Sequence, residues 1–236
     1  MSLLLVHGVG GRPQIWRRVL ERVDPVLRRD ALTADIRPRP GQALNEIARD
    51  LLDRYTGSHL IVGHSLGGML ALEAALMDRP RVLGMVLVSA IPGTTPGVAA
   101  HNEALATDIE DRGIRIVADE FAERLFSPDR FLRSPDLKAD FIDAMAESGA
   151  TSVCAALRAI ARWDASDRLT VLNCPTEVVT GDAEPDIDRQ RKLAALLGAP
   201  FDLLDGTGHL APLEAPDRVA RAIERVMSRI YEEVKP

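Results

Sequence analysis

The chain has 236 residues, 46% hydrophobic and 27% charged, enough apolar material for one domain with a full core and too ordinary a balance for a long disordered tail. A formal net charge of −6 works against the cationic surface that phosphate-backbone binding requires, so nucleic acid is not an expected partner. The N-terminal apolar run Leu3–Val6 is too short for a signal peptide or a membrane span, and no uninterrupted apolar stretch approaches 18 residues, so the expected setting is cytoplasmic with no membrane partner.

In chain order, the pattern predicts a strand over Ser2–Val6, a helix over Ile15–Val23, a strand over Ala31–Asp35 and a helix over Leu44–Tyr55. A strand over Leu60–Gly63, a helix over Leu66–Met77 and a strand over Leu83–Val88 follow. From Pro92 to about Asp167 no strand is predicted. The helical patches there, Ile114–Leu125, Leu137–Ala146 and Ser152–Trp163, are separated by Pro128 and Pro135. The alternation then resumes with a strand over Thr176–Thr180, a helix over Asp188–Leu197, a strand over Phe201–Leu204 and a helix over Pro216–Glu233. Short apolar strands alternating with longer helices imply an α/β fold whose mostly parallel sheet is buried on both faces. The expected organisation is a core of residues 1–91 and 168–236, interrupted by a helical insertion over 92–167. Cys154 and Cys174 lack the spacing of a metal or redox site and read as packing residues.

The sharpest motif is Gly63-His64-Ser65-Leu66-Gly67, between a predicted strand and a predicted helix. Three fixed positions at roughly 7% usage arise by chance in about one chain in thirteen of this length, so the spacing alone is weak. Its placement makes it a candidate nucleophile elbow, where a serine on a strained strand-to-helix turn projects its hydroxyl off the sheet. The flanking glycines are expected because side chains there would strike neighbouring backbone. A second motif, His7-Gly8-Val9-Gly10-Gly11, ends the first strand. The N–H groups of Val9 and Leu66 are the candidate oxyanion donors, and a turn or phosphate loop is the alternative use of these glycines.

The third motif is Gly208-His209-Leu210, after the last strand, where glycine leaves the histidine free to reach the elbow as general base. Of the other histidines, His7 is expected to order the oxyanion loop, His59 to begin a strand, His64 to flank the serine, and His101 to lie in the insertion. An acid is needed to orient the imidazole, and Gly181-Asp182-Ala183-Glu184-Pro185-Asp186 follows a predicted strand at the right point in the chain.

Taken together, His7-Gly8, Gly63-His64-Ser65-Leu66-Gly67-Gly68, the stretch from Trp163-Asp164 to Gly181, and Gly208-His209 with Pro212, Glu214 and Pro216 resemble the α/β-hydrolase superfamily. Within it they are similar to the small cofactor-free esterases, enol-lactonases and carbon–carbon bond hydrolases. The resemblance implies an acid three residues after the strand-ending glycine, which falls on Glu184, where aspartate is commoner; Asp182 is the alternative. It also implies a sheet of about six strands lacking the family's leading hairpin. Arg37-Pro38-Arg39-Pro40-Gly41 stands where a glycine-rich loop is more familiar.

The insertion resembles the helical cap of these enzymes, where substrate choice is expected to reside. Leu105, Ile109, Phe121, Phe131, Phe141 and Trp163 could line a pocket or pack as core. Arg112, Arg115, Arg124, Arg130 and Arg133 could bind a carboxylate or face solvent. The expected activity is hydrolysis of a small-molecule ester, lactone or activated carbonyl through Ser65, His209 and Glu184, with no metal or organic cofactor, in a monomer or homodimer. The alternatives are a lyase or carbon–carbon bond hydrolase on the same scaffold, or a receptor-like module that binds a small molecule.

Overall fold

Leu3 and Leu5 point to one side of their strand and Leu4 and Val6 to the other, and all four are buried. A strand apolar on both faces must lie between two helical layers, and that is its position in the computed structural model, which describes residues 1–129 and 134–234. Six strands form one parallel sheet: β1 (Ser2–Val6), β2 (Leu32–Ala34), β3 (His59–His64), β4 (Val82–Val88), β5 (Thr176–Gly181) and β6 (Phe201–Leu204). Their spatial order is β2-β1-β3-β4-β5-β6. The order reverses direction between β1 and β3, and in open α/β sheets the crevice beyond the strand ends at such a point is where ligands bind.

The helical layers are unequal. Leu4, Val6, Ile61, Met85 and Leu87 pack against α3 (Leu44–Arg54), α4 (Leu66–Met77) and α9 (Ile187–Leu197). Leu3, Leu5, Leu60, Val62 and Val86 pack against Trp16, Val19 of α1 (Arg17–Leu20), and the long α11 (Pro216–Val234). α11 buries Val219, Ile223, Val226 and Ile230 at three- and four-residue spacing; each such aliphatic side chain contributes about 1.5–3 kcal/mol on leaving water. Its other face carries Arg225 and Arg229, which bind the buried Glu177 of β5; Arg229 Nη2 donates to Glu177 Oε2 at 3.0 Å.

Between β4 and β5 the chain forms α5 (Pro96–Arg112), α6 (Ile114–Leu125), α7 (Pro135–Ser148) and α8 (Ala150–Ala161). These share a third apolar cluster, including Ala106, Ile109, Phe126, Phe141, Met145 and Leu157, that reaches Leu210 and the edge of Val9 in the core loops. Where the segment leaves and rejoins the sheet, its ends are fastened together. Gly93 and Asp164 form an antiparallel bridge, Thr94 N–H donates to Trp163 O (2.8 Å), and Ala165 N–H donates to Pro92 O (3.0 Å).

Several elements differ from the sequence reading. The helix expected over Ile15–Val23 is a 3-10 turn, Pro13–Trp16, followed by the four-residue α1. α5 was not anticipated, because its buried face is built from Asn102, Leu105, Ala106 and Ile109 and gives little apolar contrast. The short helices α2 (Pro25–Arg29) and α10 (Ala211–Glu214) were also missed. Pro135 opens α7 rather than interrupting a helix, since a proline at the first helical position loses no intrahelical hydrogen bond. Trp163 packs in the core against α4, its indole N–H donating to the buried Glu73 carboxylate at 2.7 Å. Phe131, Arg130 and Arg133 lie outside the described residues.

Candidate active site

β3 ends in His64, and Ser65 follows at φ 52°, ψ −115°, a conformation in which a non-glycine residue is strained. The neighbouring backbone holds it there. Ser65 N–H donates to Val88 O at 2.8 Å, and Ser65 O accepts from Gly68 N–H at 2.9 Å. The turn is so tight that a Cβ on Gly63 would stand 2.3 Å from Gly67 O, and one on Gly67 would stand 2.1 Å from Val6 O. Glycine is therefore obligatory at both, and the steric role expected of them is present. Leu66 opens α4, so its N–H is among those without a partner inside the helix.

Register brings the second motif alongside. Val6 pairs with Gly63, so the loop leaving β1 runs beside the elbow. Gly11 N–H donates to Gly8 O (3.1 Å), closing a turn in which Gly10 has φ +65° and Val9 is the first central residue. His7 fixes this loop: Nδ1–H donates to Gly8 O at 2.8 Å and Nε2 accepts from Ile36 N–H at 3.0 Å. Burial pushes the His7 pKa down, in keeping with that neutral form. From above, Ser148 at the end of α7 donates from Oγ to Gly10 O (3.2 Å) and Gly11 O (3.1 Å), and Met145 covers Gly10.

The histidine loop is held one N–H at a time. Thr207 N–H donates to Asp182 Oδ1 (3.1 Å), Gly208 N–H to Glu214 Oε1 (3.2 Å), and His209 N–H to Leu125 O (2.7 Å). The carbonyl of His209 accepts from His64 Nε2 (2.8 Å) and Ser89 Oγ (3.2 Å). Ser89 itself has φ 53° where β4 ends, the second strained serine of the chain. The two acids considered for the imidazole are thereby separated: Asp182 is exposed and serves the loop backbone, whereas buried Glu184 accepts from His209 Nδ1–H through Oε2 at 2.9 Å. The longer glutamate side chain reaches the ring from its loop position.

This arrangement sets the electrostatics. Burial alone would lower the pKa of His209, but the Glu184 carboxylate, by charge and hydrogen bond, and the nearby Glu214 outweigh it and raise it above the ordinary histidine value. Burial of Glu184 acts to raise its pKa, yet the His209 charge and hydrogen bond leave it below the usual carboxylate range. His64, fully enclosed and 5.1 Å from the His209 ring, is pushed down to about 3 by burial and by that neighbour. It is thus a neutral Nε2–H donor that supports the His209 backbone. With Nδ1–H bound to Glu184, the Nε2 lone pair of His209 is the site able to take a proton.

Sequence reasoning missed Ser89, Ser127 and Ser148, which occupy no local pattern and act across long stretches of chain, and it quoted Glu214 in the histidine motif without assigning it a part. Both cysteines are buried, and burial raises each thiol pKa, which suits packing rather than nucleophilic chemistry. Among the arginines offered for carboxylate binding, Arg112 is paired with Asp108 and Glu120 and Arg115 with Asp143. A cavity of about 340 Å³ opens between the loop after β1 and α7, its apolar wall formed by Ile15, Leu137, Phe141 and Leu213.

A sequence model of the alpha/beta hydrolase family matches residues 3–222, and the chain belongs to that family. It is similar to the pimeloyl-(acyl-carrier protein) methyl ester esterase of Vibrio vulnificus, 28% identical over 191 residues that cover 74% of this chain and 72% of that protein. It is also similar to 3-oxoadipate enol-lactonase 1 of Acinetobacter baylyi, 23% identical over 184 residues covering 74% and 67%. Among solved structures, a thermophilic esterase from Thermogutta terrifontis superposes with a TM-score of 0.84 at 24% identity, over 98% of this chain and 90% of that one, a likeness of fold. Among the described residues, no helix is long and apolar enough to cross a membrane.

Proposed function

We propose that the chain is a serine hydrolase of small-molecule esters, lactones or activated carbonyls, with Ser65 as nucleophile, His209 as general base and Glu184 as the acid that orients it. The observation that carries this reading is the 2.9 Å hydrogen bond from His209 Nδ1 to buried Glu184 beside a serine held in a strained strand-to-helix turn. That pairing leaves His209 Nε2 as the basic nitrogen. In the proposed reaction Ser65 Oγ adds to the substrate carbonyl carbon while its proton passes to His209 Nε2, and the π electron pair moves onto the carbonyl oxygen. The N–H groups of Val9 and Leu66 stabilise that oxyanion. Collapse expels the alkoxide, which takes the proton from His209. Water then attacks the acyl-enzyme, again giving its proton to His209, and carboxylic acid leaves as Ser65 is restored.

The names of the relatives, one acting on a methyl ester and the other on an enol-lactone, support an oxygen-linked acyl substrate. Residues 92–167 act in this reading as the cap that excludes water and selects substrate. The test is a panel of p-nitrophenyl esters, lactones and enol-lactones assayed with wild type and Ser65→Ala. Turnover that disappears in the variant while its circular dichroism is unchanged is the expected result. Retained turnover refutes the assignment.

A further inference from the structure

The chain leaving α6 lies against the histidine loop over three residues. Leu125 O accepts from His209 N–H. Two residues later, buried Ser127 donates from its backbone N–H (3.0 Å) and from Oγ (2.6 Å) to Glu214 Oε2. The other oxygen of Glu214 accepts from Gly208 N–H, the residue before the histidine. A Cβ on Gly208 would stand 2.5 Å from both Leu125 O and Ser127 N, so the two strips of backbone are already in contact. Glu214 is itself buried on the short α10, close behind the loop it holds. A buried carboxylate is costly to desolvate, and an apolar residue would pack there more cheaply if filling space were its only task.

We infer that Glu214 is a positioning residue that, through Ser127, locks the helical segment between β4 and β5 onto the backbone of His209 and so sets where the imidazole stands over Ser65. This rests on the reading of His209 as general base. The segment is then a brace for the catalytic histidine as well as a cover. Its hold is polar and directional, running from Ser127 through one carboxylate to Gly208, so a small displacement of residues 125–127 is passed directly to residue 209. The charged and titratable groups facing the imidazole are Glu184 from the loop after β5, Glu214 from α10 and His64 from the end of β3, and Glu214 contributes to the raised pKa of the ring.

The experiment compares wild type, Glu214→Gln and Ser127→Ala for kcat, KM and pH profile with p-nitrophenyl acetate, alongside thermal melting. It also follows the His209 ring by NMR titration in a Ser65→Ala background, with and without Glu214→Gln. Glu214→Gln is expected to lower kcat by about 10- to 100-fold with KM nearly unchanged, since small misplacement of a catalytic group has effects of that order. The acid limb of its pH profile is expected to move to lower pH, because a carboxylate that raises the His209 pKa is gone. Ser127→Ala is expected to lower kcat about fivefold, the equivalent of one hydrogen bond, and to leave the acid limb in place. A folded Glu214→Gln protein with wild-type kcat and acid limb overturns the inference. If that variant does not fold, wild-type kcat in Ser127→Ala overturns it. The NMR titration separates the two claims: His209 ring shifts and midpoint both unchanged by Glu214→Gln end the inference whatever the activity, whereas displaced ring shifts with Ser65→Ala still active uphold it and end the reading of Ser65.

Discussion

The elbow and the histidine loop, joined by the hydrogen bond from His64 Nε2 to His209 O, are held by different physics. At the elbow the restraint is steric: Ser65 is held at φ 52° where backbone passes within contact distance of Gly63 and Gly67, all inside the sheet and α4. At the histidine the restraint is polar. Three successive N–H groups and one carbonyl of residues 207–209 are met by Asp182, Glu214, Leu125, His64 and Ser89, drawn from separate parts of the chain. A steric restraint fails abruptly, since one methyl group cannot be accommodated. A web of hydrogen bonds fails by degrees, since each member contributes about 0.5–1.5 kcal/mol and the others remain.

On the proposed mechanism the largest effect expected is that of Ser65→Ala, a loss of about 10⁶ in kcat, read by ester hydrolysis, because removing a nucleophile disables the catalytic group as a unit. Glu184→Gln comes next, with about 10⁴-fold lower kcat, because the amide no longer selects the Nδ1–H tautomer. Its pH profile carries a sign. On the proposed mechanism the wild-type acid limb is expected above the ordinary histidine value of 6.5, since a general base has to be neutral and the surroundings of His209 raise its pKa, so activity is expected to fall as pH drops through that midpoint. In Glu184→Gln the midpoint moves down, and a midpoint that rises or stays would contradict the electrostatic account.

Gly67→Ala tests the steric side. With a Cβ 2.1 Å from Val6 O, it is expected to cost more than about 4 kcal/mol in denaturant unfolding, a value reserved for severe local conflicts. The smallest effect sharpens the contrast most. Ser89→Gly relieves a left-handed backbone cost of roughly 1–2 kcal/mol while removing one of two donors to His209 O. Melting temperature is expected to hold or rise while kcat falls about fivefold, stability and activity moving in opposite directions.

The sheet was readable because most of its strands are apolar through the middle and end near glycine, proline or aspartate, and Ser2–Val6 and Phe201–Leu204 coincide with β1 and β6. The elbow was readable because sterics confine it to a few residue types in immediate succession. Glu184 and His209 stood out as loop residues of the right chemistry, and their hydrogen bond is visible only once β5 and β6 are paired. The helical segment was less legible. α5 buries an asparagine and an alanine where the pattern asks for larger apolar residues, and prolines that begin helices look in sequence like prolines that break them. The pairing of Glu214 with Ser127 in the polar web around residue 209 was not legible, because the two are 87 positions apart and neither type announces its partner.

The fastening of Gly93 to Asp164 carries one more consequence. Residues paired across an antiparallel bridge lie about 5 Å apart, so the helices between them begin and end at nearly the same point on the scaffold. Insertion and replacement of whole modules are tolerated where two chain ends emerge side by side. At this junction a shorter or longer helical module could be spliced in without disturbing strand spacing, so the segment can vary in size while the sheet beneath it stays the same.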